Sequence, residues 1–181
     1  MGKFLVTNFD GQLTAGKIVE TEAYRAPDDK ACHAYNNKRT KRTEIMFAEG
    51  GVAYVYLIYG MYHLFNVVTA KEDMAHAVLI RGVEPVENVD VMLERRKFTK
   101  LKNTLTDGPG KLTIALGINK IHTGLSLLDE ENPIWIEDRG VSISEENIIA
   151  SPRVGVGYAE ECALWDWRFR VKDSKWTSKA K

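Results

Sequence analysis

The chain has 181 residues, 25 Lys+Arg, 25 Asp+Glu and a 44% hydrophobic fraction, a balance that excludes a disordered, collagenous or coiled-coil protein and fits one buried core. Its longest apolar run, around Gly51–Val68, is broken by Gly60 and His63, so no membrane partner is expected. A formal charge of zero argues at first against nucleic acid, and two cysteines, Cys32 and Cys162, are too few for a disulfide framework or a metal cage.

Met1–Gly16 is mixed and already polar at Asn8 and Asp10, unlike a signal segment, which points to a cytoplasmic protein with reduced thiols. Phe4–Val6 and Leu13–Tyr24 read as strands joined by an Asp10-Gly11 hairpin turn. Thr43–Phe47 has a helical pattern. Val52–Ile58 and Met61–Thr69, rich in Tyr, Val, Leu and Phe, read as two strands about a tight turn at Gly60, with Tyr59 near its tip. Ala77–Gly82 is a further strand, stopped by Glu84-Pro85. Helices are expected at Asp90–Phe98 and at Gly110–Ile118, and strands at Ile134–Ile136, Val154–Tyr158 and Trp167–Val171. There is no regular βαβ alternation, linker or repeat. The expectation is therefore a single α+β domain over residues 1–181, built on an antiparallel sheet.

On a strand through Ile18–Tyr24, the side chains of Glu20, Glu22 and Tyr24 share one face with Ile18. By itself the segment fits a solvated face, and a catalytic reading needs partners from elsewhere. Arg81, at the end of apolar Ala77–Ile80, needs a carboxylate or phosphate to offset its desolvation, and Glu22 is a candidate. Asn66 is similarly polar within Phe65–Val68. Tyr56 is placed like a pocket wall, and Tyr59, beside the Gly60 turn, like a wedge that can enter a duplex. Gly108-Pro109-Gly110 before a helix, with Lys111, offers N–H groups and charge to an anion, but it is not a P-loop. His33, His63, His76 and His122 lack metal-ligand spacing, so neither a metal nor another cofactor is expected.

The zero charge is also uneven. Leu128–Asn147 holds seven acids against Arg139, and without them the chain has 24 basic and 18 acidic residues, a balance of +6. Basic residues cluster at Lys38, Arg39, Lys41 and Arg42, and again from Arg95 to Lys102. A dipolar protein of this kind can hold phosphates on one face.

Together these blocks resemble the alkyladenine (3-methyladenine) DNA glycosylase family. The likeness is carried by Ile18-Val19-Glu20-Thr21-Glu22-Ala23-Tyr24, by His33 nine residues on, by Met46-Phe47 and by Tyr54–Tyr62. It continues through Phe65-Asn66, Ala77–Pro85, Gly108–Leu112 with Gly117–Lys120, and Pro152–Ala159, so that it spans about Gly2 to Lys179. The resemblance implies a curved, open-barrel-like antiparallel sheet with surrounding helices. It also implies an enzyme that flips damaged purines such as 3-methyladenine or hypoxanthine out of duplex DNA and hydrolyses the N-glycosidic bond.

By the same resemblance, Glu22 would activate the attacking water, aided by Arg81 and a backbone carbonyl near Val154. Tyr24, His33 and Tyr56 would line the base pocket, with His33 bonding the purine edge. Asn66 would disfavour purines with an amino group at C2, and Tyr59 would fill the gap in the duplex. No Lys or terminal amine stands beside Glu22 in sequence, so no lyase step is expected, and Glu20 is read as structural. Lys38, Arg39, Lys41, Arg42 and Lys111 are the expected contacts to the DNA backbone. The expected partner is double-stranded DNA carrying damaged purines, bound by a monomer, at the nucleoid if the source is bacterial.

By the resemblance, the chain is expected to start just after the family's usual N-terminal helix, at Met1–Val6, and the overall neutrality predicts DNA affinity that falls steeply with salt. Two other readings stay open. A non-catalytic binder of distorted DNA would bind tightly without turnover, and a glycosidase of free nucleosides would need neither Tyr59 nor the basic stretches.

Overall fold

The computed structural model describes residues 1–179. Strand β1 (Phe4–Phe9) turns back into β2 (Gln12–Arg25) through Asp10 and Gly11, both at positive φ, as a two-residue hairpin turn requires. A second hairpin joins β3 (Ala53–Ile58) to β4 (Tyr62–Val68) through Tyr59 and Gly60, again both at positive φ. The long β5 (His76–Glu87) leads into α1 (Val89–Arg95) and then α2 (Pro109–Leu116). Short strands β6 (Ile134–Glu137), β7 (Ile148–Ser151) and β8 (Arg168–Val171) complete the set. The sheet order is β3-β4-β5-β2-β1-β6, and every pairing is antiparallel. The sheet curls into an open half-barrel, and the fold is α+β.

Strand β2 organises the molecule. One of its edges pairs with β5 throughout, while the other pairs first with β1 and then, at Glu20–Glu22, with β8. The β2–β5 ladder shifts register at Ala15/Gly16 and on both sides of Glu20. Such bulges bend a strand and re-aim its side chains. Gly82 sits opposite Glu20, and a Cβ there would lie 2.6 Å from the Trp176 carbonyl oxygen and 3.2 Å from Glu20 Cβ. Only glycine leaves room for the C-terminal segment to press against Glu20.

Helix α2 starts with Pro109 at its first turn and ends at Gly117, whose positive φ closes the final turn back onto Thr113 and Ile114. It packs on β4 and β5 with Leu112, Ala115 and Leu116 fully buried. Burying each leucine contributes about 1.5–3 kcal/mol. The main core joins these residues to Leu5, Ile18, Phe65, Ile80, Val83 and Met92. A separate cluster of Met46, Phe47, Tyr54, Val68 and Ala77 backs the pocket described below.

Several expected elements differ. Pro85 does not end its strand, because it lies opposite Gly16 where the ladder is already irregular and a missing N–H is tolerated. Val154–Tyr158 is not a strand. The chain bends there and enters an irregular 3-10 segment, Gly157–Leu164. Thr43–Phe47 contains a 3-10 turn over Glu44–Phe47 rather than an α-helix. Strand β7 follows the acidic stretch and was not anticipated, being only four residues long. No helix among the described residues is long and apolar enough to cross a membrane.

Candidate active site

A cleft of about 780 Å³ opens between β2, the β3–β4 hairpin, the start of α2 and the 154–158 bend. That volume suits a ligand the size of a nucleoside. Glu22, Tyr24, His33, Tyr56, Asn66 and Arg81 all line it, together with Val154, Tyr59 and Lys111. Lys38, Arg39, Lys41 and Arg42 do not. Cys32 and Cys162 are both free and buried, and burial pushes the Cys32 thiol up to about 11, so it stays protonated. No group of three His, Cys, Asp or Glu among the described residues converges as a metal cage would.

The expected solvated face of β2 is instead buried, since Glu20 and Glu22 are both 0% exposed. Burial of two carboxylates requires compensation, and each has its own set of donors. Glu22 Oε1 accepts the Val154 N–H at 2.7 Å. Its Oε2 accepts the Tyr24 hydroxyl at 2.8 Å and, more weakly, Arg81 Nη1 at 3.4 Å. It is therefore the amide of Val154 that touches Glu22. Burial, then the charge of Glu22, hold the Tyr24 phenol well above its ordinary pKa, so it remains a donor. A carboxylate offers about four lone-pair sites. Three are occupied, and one, on Oε1, is left for a further donor.

Glu20, by contrast, is held by four donors. Its Oε1 accepts Arg81 Nε at 2.9 Å, Arg168 Nε at 2.7 Å and Ser178 Oγ at 2.7 Å, and its Oε2 accepts the Ser178 N–H. Burial alone would raise its pKa, but Arg81 and the Ser178 donors outweigh it and hold the carboxyl below its usual range. Glu20 thus fixes the guanidinium that reaches Glu22. On the far side, Asp29 and Arg153 form a second buried pair, at 2.5 and 2.7 Å. Arg153 also bonds the Ala23 and Cys162 carbonyls and lies 4.7 Å from the Tyr24 ring centroid, anchoring the bend that presents Val154.

Sequence reasoning missed Asp29, Arg153, Arg168 and Ser178. The signal for Arg168 was its place in the aromatic run Trp167-Arg168-Phe169, where a cation needs a partner just as Arg81 does.

The aromatic wall is built by β3 and the 31–35 turn. His33 packs edge-on against Tyr56 with centroids 4.7 Å apart, and Tyr54 and Tyr56 lie 5.4 Å apart. His33 Nδ1 meets the Tyr54 hydroxyl at 2.8 Å, and its Nε2 faces Arg42 Nη2 at 3.2 Å. Arg42 can only donate, so Nε2 accepts and Nδ1 carries the proton. Burial, then the Arg42 charge, push the imidazole down to about 4. Asn66 is buried, and its Nδ2 donates to the Tyr54 carbonyl at 3.0 Å. That bond fixes the amide so that its Oδ1 is spared.

Tyr59 stands on the rim, 82% exposed, with Met61 exposed beside it. The cations around the cleft are not equivalent. Arg39 is bound by Glu44 and Asp73, and Lys111 by Asp107 at 2.7 Å. Two of the five expected phosphate contacts are therefore already paired within the protein.

The methylpurine-DNA glycosylase family model matches residues 1–175. Relatives named "Putative 3-methyladenine DNA glycosylase" include one from Clostridium perfringens (strain 13 / Type A), 44% identical over 99% of this chain and 90% of its own length. One from Clostridium botulinum (strain Alaska E43 / Type E3) is 47% identical over the same shares. Another from Chlamydia felis (strain Fe/C-56) is 46% identical over 97% of this chain and 89% of its own.

Proposed function

The chain belongs to the methylpurine-DNA glycosylase family, and from that premise we propose that Glu22 activates the water by which this enzyme cuts the N-glycosyl bond of a damaged purine. The protein is a DNA glycosylase, a hydrolase acting on methylated bases in DNA. In the proposed step the purine is rotated out of the duplex into the cleft, because its bond to the sugar is unreachable within the stack. Water adds to C1′ as Glu22 takes its proton, and the purine leaves with the bonding electron pair. The products are a free base and an abasic site.

The observation that carries this reading is the state of the two buried carboxylates. Glu20 is held by Arg81, Arg168 and Ser178 and does not line the cleft, whereas Glu22 lines it and keeps a lone pair on Oε1 while Tyr24, Val154 and Arg81 hold it in place. An alkylated purine is already a good leaving group, so a single oriented base can suffice. Among the described residues no amine bonds Glu22, and Lys111, which lines the cleft, is held by Asp107, which supports a reaction without a Schiff base. Tyr24, Tyr56 and His33 supply faces and an edge for the purine. Asn66 supplies a fixed amide against which an added C2 amino group would crowd, and Tyr59 supplies the wedge that fills the vacated stack.

The test is single-turnover release of 3-methyladenine and hypoxanthine from duplex DNA. Glu22→Gln keeps the shape of the side chain but cannot accept the proton, so release should be lost while binding of an abasic duplex persists. Undiminished release by that variant would remove Glu22 from the role.

A further inference from the structure

A second, smaller cavity of about 350 Å³ lies along β3, at the edge of the sheet, and Lys41, Arg42, Leu57, Lys120 and Thr123 form its walls. Two separate loops build it. The 38–43 segment brings Lys41 and Arg42, and the turn after α2 brings Lys120 and Thr123. The Thr123 hydroxyl is spent on the N–H and carbonyl of Val55, at 3.1 and 2.8 Å, which pins this second loop to β3. The charge of the notch is carried by its three cations. No carboxylate lines it, and neither Lys41, Arg42 nor Lys120 is ion-paired among the described residues, in contrast to Arg39 in the same loop.

Arg42 does not line the base cleft but contacts two residues that do. Its guanidinium stands 4.8 Å from the Tyr56 ring centroid, and its Nη2 caps His33 Nε2 at 3.2 Å. Tyr56 and His33 both line the base cleft. The nitrogen that would read the purine edge is thus occupied in the free protein, by a residue that also belongs to the basic notch.

We propose that the notch formed by Lys41, Arg42 and Lys120 holds a phosphodiester of the bound DNA, and that Arg42 couples this site to the base cleft. A phosphate oxygen is a stronger partner for a guanidinium than a neutral imidazole is, and it offers two-pronged bonding. A phosphodiester entering the notch draws Arg42 away from His33. Nε2 is then free to accept an N–H from the flipped purine. The protein reads the base edge only once the backbone is seated. This inference rests on the glycosylase reading, and it adds Lys120 to the DNA-binding surface.

Two measurements on the full chain test it. The first is the affinity for a duplex carrying a stable abasic analogue, measured over a series of KCl concentrations. Lys41→Ala and Lys120→Ala should each lower the slope of log K against log salt by about 0.9, the signature of one lost phosphate contact. Both side chains are exposed, so neither change disturbs the core. Slopes equal to wild type in both variants would overturn the phosphate site. The second is the ¹⁵N resonance of His33 Nε2 on saturation with undamaged duplex, which has no lesion to flip. It should move as Arg42 departs in wild type, and stay in place in the protein carrying both Lys41→Ala and Lys120→Ala. A resonance that is unmoved in wild type, or moves equally in both proteins, would overturn the coupling. Base release reports separately on catalysis. An active enzyme with unaltered slopes would leave the glycosylase mechanism standing and remove the notch, and an inactive one with lowered slopes would do the reverse.

Discussion

The hydroxyl of Tyr24 donates to Oε2 of Glu22 across 2.8 Å, from two residues further along the same strand. Alternation puts the two side chains on one face, so the phenol can brace the carboxylate without a backbone change. Tyr24→Phe keeps the ring and removes only this donor. A hydrogen bond to a charged group contributes about 1.5–3 kcal/mol, and spent on holding the base it is worth about 10- to 100-fold in rate. Single-turnover base release should fall by that factor while affinity for an abasic duplex is unchanged. A rate within about twofold of wild type would reduce Tyr24 to a packing role.

Glu20 faces two buried guanidinium groups, Arg81 and Arg168. Glu20→Gln leaves both opposite a neutral amide, and breaking a buried pair in this way costs about 3–5 kcal/mol. The pH dependence has a definite sign. The folded carboxyl is held below its ordinary value, so its contribution is complete above the unfolded value of about 4.3 and is lost as pH falls through the lower folded one. Urea unfolding should show a wide gap between variant and wild type at pH 7, narrowing at strongly acid pH. A gap independent of pH would mean that the charge of Glu20 is not what stabilises the fold.

Why the contact of Glu22 with Arg81 was legible and the partners of Glu20 were not follows from the same rule. A cation ending an apolar strand must meet an anion, so Arg81 announces a carboxylate partner. Which carboxylate, and whether the face is wet, depends on bulges in β2 and on Arg168 and Ser178, which arrive from the far end of the chain. Alternation cannot show either. The Tyr59-Gly60 turn was readable because its chemistry is local, whereas the pairing of Arg39 with Asp73 spans 34 positions and left the basic run looking uniform. The Val154 bend was mistaken for a strand because its valines alternate. What bends it is the Asp29–Arg153 pair, a contact no period reveals.

His33 should titrate far from an ordinary histidine. Burial, then Arg42, push it down to about 4, with Tyr54 and Tyr56 as its other close neighbours. The unfolded chain binds the proton near pH 6.5, so stability falls as pH drops from there towards about 4 and this contribution changes no further below it. An NMR titration of His33 should give a midpoint near 4. Arg42→Ala should raise it, since one of its two causes is removed, but not to the ordinary value, since burial remains. A wild-type midpoint near 6.5 would mean that the imidazole is open to water.

Tyr59 adopts φ +53°, in the left-handed region that costs a residue with a Cβ about 1–2 kcal/mol. With its ring 82% exposed, the fold recovers little of that cost through packing. Strain retained where nothing in the free protein offsets it points to function, and here to the wedge. Tyr59→Gly separates the two roles. Glycine relieves the strain and loses about 0.5–1 kcal/mol through extra freedom in the unfolded chain, which leaves a net gain of up to about 1.5 kcal/mol. The variant should therefore melt at or above the wild-type temperature, yet release bases from duplex DNA more slowly. Release from single strands, where no stack must be held open, should be spared. Duplex and single-strand rates falling together would move Tyr59 from wedge to pocket wall. A lower melting temperature would show instead that its ring packs on the hairpin.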